Sequence, residues 1–457
     1  MKSAISLDPE DGYWWIPGSE ETQIPGRISL TGKGSATIEL NGAFCEMFDV
    51  LSRKAPEYFG EIFGILKSGK LVTCFSCVRG KSNLQSPGYF TESYNASICL
   101  IGDHCRRNDV RVKRVSVECD NLYNWMGFEL LTNEDPNQNA GFFIRLNRGL
   151  PVRSVLTRDC TIRFLEEVAY EGLSSQDTTI KKRLFASLFF WGEMDLVEAM
   201  NFSHTTISRL LSIACQKHCE ANVLSLDLIN RFNGKIHENM LVYKGRSDIS
   251  NKTLKHEMLF SYEDCLESDF WETYFRSAKK YGVIYALFFE LYMEKSRRTF
   301  EGKFLYLVRA LEAFHRRYFD MSAIKSAHLR KIERICEGIQ NKADAKYVFR
   351  RLHKGHEPPL EDKVKEISGI FPVEVRNHIE ENFGASVWKE INQIRNYYAH
   401  FGDSPEPQSV RVIHINSVME FLVKCSMLRM LGFSSEWIWE KFKAGRLVPE
   451  KSSHFNV

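Results

Sequence analysis

The hydrophobic rhythm of this chain changes part-way along it. In the first half, apolar and polar residues alternate in short runs separated by turn formers. "GRISLTGKGSATIELNG" (Gly26 to Gly42) sets two alternating runs around Gly32-Lys33-Gly34, the pattern of a β-hairpin. "IFGILKSGKLVTCFSC" (Ile62 to Cys77) repeats the scheme with Ser68-Gly69 as its turn. "NASICLIGDHC" and "RVKRVSVECD" continue it, with apolar positions at Ile98 and Leu100, then at Val112, Val115 and Val117. Several short strands at this spacing predict a sandwich or barrel.

From about Thr179 the apolar residues of "IKKRLFASLFFWGEMDLVEAM" and "TTISRLLSIACQKH" recur at helical spacing, which predicts helices that close the first domain or cover its sheet. The sequence turns polar and acidic near Ser250 to Asp269, so the expected division is 1–260 and 261–457. Beyond Trp271 the pattern is helical throughout. Phe304, Leu307, Leu311, Phe314 and Tyr318 form one stripe on a helix whose flank carries Arg309, Glu312 and Arg316. Further helices are expected at His328 to Glu337, Ala343 to His353, Leu360 to Ser368, Ser386 to Ala399 and Ser409 to Met430. The prolines of "HKGHEPP" interrupt this bundle. The fold class is therefore α+β: a β-rich half followed by an all-α half.

Composition narrows the picture only a little. With 457 residues and 44% hydrophobic content, the chain can bury two or three cores. A net charge of +3 means that a polyanion would have to be met by a local basic patch. "MKSAISLDPEDGYWWIPG" lacks the pattern of a signal peptide, and no run approaches about eighteen apolar residues, so a cytoplasmic location without membrane spans is expected. "YGVIYALFFELYM" reads as a buried helix. Twelve cysteines have no regular spacing. Cys74 with Cys77, Cys99 with His104 and Cys105, and Cys215 with His218 and Cys219 never form the matched pairs of a zinc site, so no metal and no cofactor is expected.

One short stretch stands out. "RNYYAH" (Arg395 to His400) ends a helix whose buried face is Val387, Ile391, Ile394 and Tyr398, and Gly402 and Pro405 supply a stop. His400 is rotated about 140° from Arg395 in a straight helix, so the two side chains do not meet, whereas Asn396 stands one turn before His400 and can fix its ring. An always-charged fork suits phosphate oxygens, and a His can carry a proton near neutrality. The plainer alternative is a last-turn Arg that binds carbonyls or an acid, beside a His favoured by the helix dipole.

The same residues carry a resemblance. "RNYYAH" resembles the Arg-x4-His signature of the HEPN superfamily, and "RALEAFHRRYF" resembles the Glu-bearing helix of its Apea-like branch. "GYWWIPG", the two hairpin segments and "YNASICLIG" resemble the β-rich domain of ApeA-type anti-phage proteins. The resemblance implies a metal-independent ribonuclease of abortive defence, tRNA being one possible substrate, with its cleft formed where two HEPN domains of a homodimer meet. It implies Arg395, Asn396 and His400 as catalytic residues and Glu312 with Arg316 as supporting ones; an ordinary ion pair one helical turn apart explains that last pair equally well. Lys279-Lys280, Arg297-Arg298, Arg316-Arg317 and Arg350-Arg351 could together line an RNA groove. A catalytically inactive HEPN dimerisation or sensor protein is the competing reading. The trigger is not legible in the sequence.

Overall fold

The computed structural model describes residues 9–30, 36–46, 48–49, 54–85, 89–127, 131–134, 143–146, 153–171, 179–231, 234–243, 253–266, 269–293, 299–320, 322–353, 355, 357–400, 406–445 and 447–450. It divides into two compact units, Met1–Glu263 and Asp264–Val457.

The first unit begins with β1 (Glu10–Trp15), β2 (Ile24–Leu30), β3 (Ala36–Leu40), β4 (Tyr58–Leu66), β5 (Leu71–Gln85) and β6 (Tyr89–Ile101). Their order, β6-β3-β2-β1-β4-β5 with β5 returning to β6, closes a six-stranded barrel in which every pairing is antiparallel. Both predicted hairpins are there: Gly26 pairs with Leu40 and Leu30 with Ala36, while the Gly32-Lys33-Gly34 turn lies outside the described residues. In the second hairpin Gly69 adopts φ +79°, the left-handed conformation that this turn demands. Alternation fills the barrel with Trp14, Ile28, Ile38, Leu40, Ile62, Cys74 and Cys99. Gly64 faces the Trp14 indole so closely that any Cβ would overlap the ring.

Beyond the barrel follow β7 (Val110–Cys119), a short helix α1 (Leu122–Met126), the separate hairpin of β8 (Leu131–Glu134) and β9 (Phe143–Leu146), then β10 (Arg153–Leu156), β11 (Cys160–Glu171), β12 (Thr179–Met194), helix α2 (Leu196–Cys215), β13 (Ala221–Asn230) and β14 (Lys235–Tyr243). The order β14-β13-β7-β12-β11-β10 extends the sheet from β6. One edge of β6 is shared: residues from Glu92 to Ala96 pair with β3, and residues from Cys99 to Ile101 pair with β14. Helix α2 packs on β7, β12 and β13, and its start is fixed by the Asp195 carboxylate, which accepts from the amides of Val197 and Glu198.

One expectation fails here. The stretch from Thr179 to Met194 is a strand, not a helix. Leu184, Ala186, Leu188 and Phe190 are buried, with Phe185 and Phe189 only partly covered between them. A run with apolar residues on both faces fits either period, and pairing with β11 along its length and with β7 selects the extended form.

The second unit is helical: α3 (Phe270–Lys280), α4 (Gly282–Met293), α5 (Phe300–Tyr318), α6 (Ser322–Glu337), α7 (Lys342–Leu352), α8 (Leu360–Ser368), α9 (Val373–Phe383), α10 (Val387–His400), α11 (Ser409–Met430) and α12 (Ser435–Ala444). The two longest, α5 and α11, pack side by side as its axis. Phe304, Leu307, Leu311 and Phe314 of the α5 stripe are buried, as the spacing requires, and Tyr318 is partly covered. Among the described residues no helix is long and apolar enough to cross a membrane.

Candidate active site

Helix α10 is set in place by its apolar face and by polar contacts. Val387, Trp388, Ile391 and Ile394 are buried, and Tyr398 meets Phe304 edge-on with ring centroids 5.8 Å apart. The Trp388 indole donates to Glu380 Oε1 at 2.8 Å, which ties α10 to α9. Ser386 precedes the helix and donates from its hydroxyl to Glu390 Oε1 at 2.6 Å.

The opposite flank carries the chemistry. Arg395 is partly exposed, and its Nη1 donates to Asn396 Oδ1 at 3.1 Å. Among the described residues, its guanidinium has no carboxylate partner. The expected contact of Asn396 with His400 falls on a side chain outside the described residues; what the structure adds is that the Asn396 amide oxygen accepts from Arg395. Helical register compares Cβ directions only, whereas a long guanidinium can fold sideways onto its neighbour's amide. His400 is the last residue of α10, and its side chain lies outside the described residues, as do Gly402 and Pro405.

The supporting pair is separated. Arg316 is bound to Glu357, with Nη2 at 2.8 Å and Nε at 3.2 Å from Oε2, and not to Glu312 on its own helix. Lys363 Nζ reaches the same oxygen at 3.1 Å. Partial burial would raise the Glu357 carboxyl, but those cationic hydrogen bonds win and hold it below its ordinary value. Between the two lies a residue the sequence reading passed over. His315 is 1% exposed, and its Nε2 stands 2.6 Å from Glu366 Oε2, so it is a core histidine held by a carboxylate. Only its place on the α5 stripe's border, one residue from Phe314, could have signalled that.

A second missed feature flanks α10. Glu390, Gln393, Ile394 and Tyr397, together with Glu406, Pro407, Gln408 and Arg411, line a cavity of about 380 Å³. Arg411 closes its base as a fork on Glu390, Nε to Oε2 at 2.6 Å and Nη2 to Oε1 at 3.0 Å, and also donates to the Phe383 carbonyl at 2.8 Å. The Arg411 bonds hold the Glu390 carboxyl below its usual range. Burial, then the charges of Glu301 and Glu406, push the Tyr398 phenol up. The partners are 21 residues apart across a helix boundary, a distance at which sequence carries no pairing signal.

Among the described residues no group of three or more His, Cys, Asp or Glu is arranged to hold a metal ion. Cys74 and Cys99 pair across β5 and β6 inside the barrel, and the hydrogen bond from Cys99 together with burial pushes the Cys74 thiol well above its ordinary value.

Comparison with known families decides the relationship. The family ApeA N-terminal domain 1 matches residues 10–272, more than half of the chain, and Apea-like HEPN matches residues 305–436. The chain belongs to the ApeA family and carries an Apea-like HEPN domain. In this ApeA-type protein the barrel and its extension fall within the first match, while α6 to α10, with Arg395, Asn396 and His400, fall within the second. That combination is the one of anti-phage HEPN-type nucleases. No curated protein matches this chain. A solved chain described as "MrkH, A novel c-di-GMP dependence transcription regulatory factor" is similar at 8% identity over 44% of this chain and 85% of that one, with a TM-score of 0.14, a likeness on which nothing rests.

Proposed function

We propose that this ApeA-type protein is a metal-independent endoribonuclease of an abortive anti-phage response, cutting RNA at a composite site that two HEPN domains complete in a homodimer. The observation that carries the reading is the state of Arg395: a permanently charged fork on a partly exposed helix end, bound to one neutral amide oxygen and to no acid among the described residues. Such a group has most of its N–H donors free for phosphate oxygens.

In the proposed reaction the 2′-hydroxyl of the RNA attacks the adjacent phosphorus. A new P–O bond forms there while the bond to the 5′ oxygen breaks. His400 takes or supplies the travelling proton, and Arg395 stabilises charge on the non-bridging oxygens as it builds up. Asn396 keeps the guanidinium facing outward. Products are a 2′,3′-cyclic phosphate and a 5′-hydroxyl end.

The test is RNA cleavage by the purified chain in EDTA, with the new ends identified and an equivalent DNA as control. Persistent cleavage, cyclic phosphate ends and an intact DNA support the reading. Activity that depends on added magnesium would refute it.

A further inference from the structure

Helix α7 buries none of its residues, and yet it packs against α6 and carries Tyr347 and Phe349 on its surface. It is held to α6 by His328 Nε2 at 2.8 Å from the Leu352 carbonyl and by Cys336 Sγ at 3.4 Å from the Ala345 carbonyl. Its sequence "KADAKYVFRRL" carries four cations against one acid, Asp344. Lys342, Lys346 and Arg350 fall at four-residue steps and so form one row along the helix; Tyr347 and Arg351 form the next row beside it. All five side chains are exposed, Tyr347 by 61%, and the Arg351 guanidinium lies over the Tyr347 ring at 5.5 Å. Among the described residues none of Lys342, Lys346 and Arg350 is ion-paired. Like charges one turn apart cost a helix stability.

Resting on the reading that the chain acts on RNA, we propose that the α6–α7 hairpin is its RNA-gripping arm. The row of Lys342, Lys346 and Arg350 follows the phosphate backbone, and Tyr347 with Arg351 stacks on an unpaired base. Charge complementarity commits the surface to a polyanion. It argues against a second copy of this chain, which would bring the same cations face to face. An acidic membrane fits poorly, because Phe349 and Leu352 are only 38% and 41% exposed and Tyr347 is flanked by cations, so there is no broad apolar face to enter lipid. A stacking ring beside a basic row is the pattern by which proteins hold single-stranded loops of RNA.

The test uses the full chain and a fluorescein-labelled, fully 2′-O-methylated RNA stem-loop, which lacks the nucleophile and stays intact whatever the chain's nuclease activity. Binding is measured by anisotropy from 50 to 300 mM KCl. A Lys342→Ala/Lys346→Ala/Arg350→Ala variant is expected to bind at least about tenfold more weakly near physiological salt, with a salt dependence shallower by about two to three contacts. Tyr347→Ala should weaken binding about fivefold or more at an unchanged salt slope, and Tyr347→Phe should bind like the parent. Circular dichroism and sedimentation are run on each variant to confirm unchanged folding and mass. Unaltered affinity and slope in the triple variant would overturn the proposal. So would a changed oligomeric state, equal competition by poly-L-glutamate, or binding of phosphatidylserine vesicles without RNA. Because the probe cannot be cut, weak binding by the variants alone counts for the arm, and a parent that binds RNA but cuts none fails only the nuclease reading.

Discussion

Arg395 Nη1 and Asn396 Oδ1 lie 3.1 Å apart, so the first two residues of the motif form a unit in which a neutral amide oxygen orients a full positive charge. That arrangement separates two substitutions at one position. Asn396→Ala removes the orienting contact and should lower RNA cleavage by about tenfold, as losing a positioning partner does. Asn396→Asp places a carboxylate against the guanidinium, neutralises it and should cost more than Asn396→Ala. Equal loss in both variants would mean that Asn396 acts through something other than Arg395.

Arg395→Ala and His400→Ala should each abolish cleavage. Arg395 is partly exposed, so its variant should melt within about 1–2 °C of the parent. A heterodimer of the two, isolated with different affinity tags, keeps one Arg and one His. Recovered cleavage in that mixed species, against two dead parents, is the expected outcome for a site shared between chains. A heterodimer as inactive as its parents would discard the composite arrangement.

Arg411→Met tests whether the fork on Glu390 matters to the motif helix. The substitution removes the bonds to Glu390 and the one to the Phe383 carbonyl, leaving a half-buried carboxylate without its cation. A loss of about 2–3 kcal/mol is expected, read as a fall in melting temperature of about 5–10 °C. Arg411→Met with Glu390→Met should recover part of it, since the stranded charge is gone. A single variant that melts like the parent would show that the fork is a passive surface contact.

Much of this architecture was legible in the residues. The stripe from Phe304 to Phe314 encodes its own helix because its apolar residues share one buried face, whereas the hairpin around Ser68-Gly69, buried on both faces from Val72 to Phe75, is announced by its turn. β12 was not legible, since Leu184 to Phe190 is apolar on both sides and only its neighbours β7 and β11 choose the period. α9 and α12 escaped the reading too, being short and flanked by weak apolar spacing. At the site, the partners of the charged residues were not legible. Arg316 goes to Glu357 and Arg411 to Glu390, and both pairings depend on how separate helices are stacked.

Acid stability has a specific carrier in the second unit. Glu420 sits between Lys303 Nζ at 2.6 Å and Lys424 Nζ at 2.8 Å. Burial opposes ionisation there, but the two ammonium groups prevail and bring the Glu420 carboxyl down to about 2 from its ordinary 4.5. The folded value lies below the unfolded one. Its contribution is therefore present above about pH 4.5 and is lost as the pH falls from there through about 2. Melts of the parent and of Glu420→Gln should differ clearly at pH 7 and converge by about pH 2–3. A gap that stays constant across that range would assign the difference to packing.

β6 gives one edge to β3 and, three residues on, to β14, so a single strand is a wall of the closed barrel and also the first member of the open sheet. No flexible joint separates the two. Amide protons along Glu92 to Ile101 should then exchange only when barrel and sheet come apart in the same event, which couples the barrel and the open sheet in one cooperative transition. Any strain applied at the outer strands is carried as shear through one continuous backbone to the Trp14-filled core, without a hinge to absorb it.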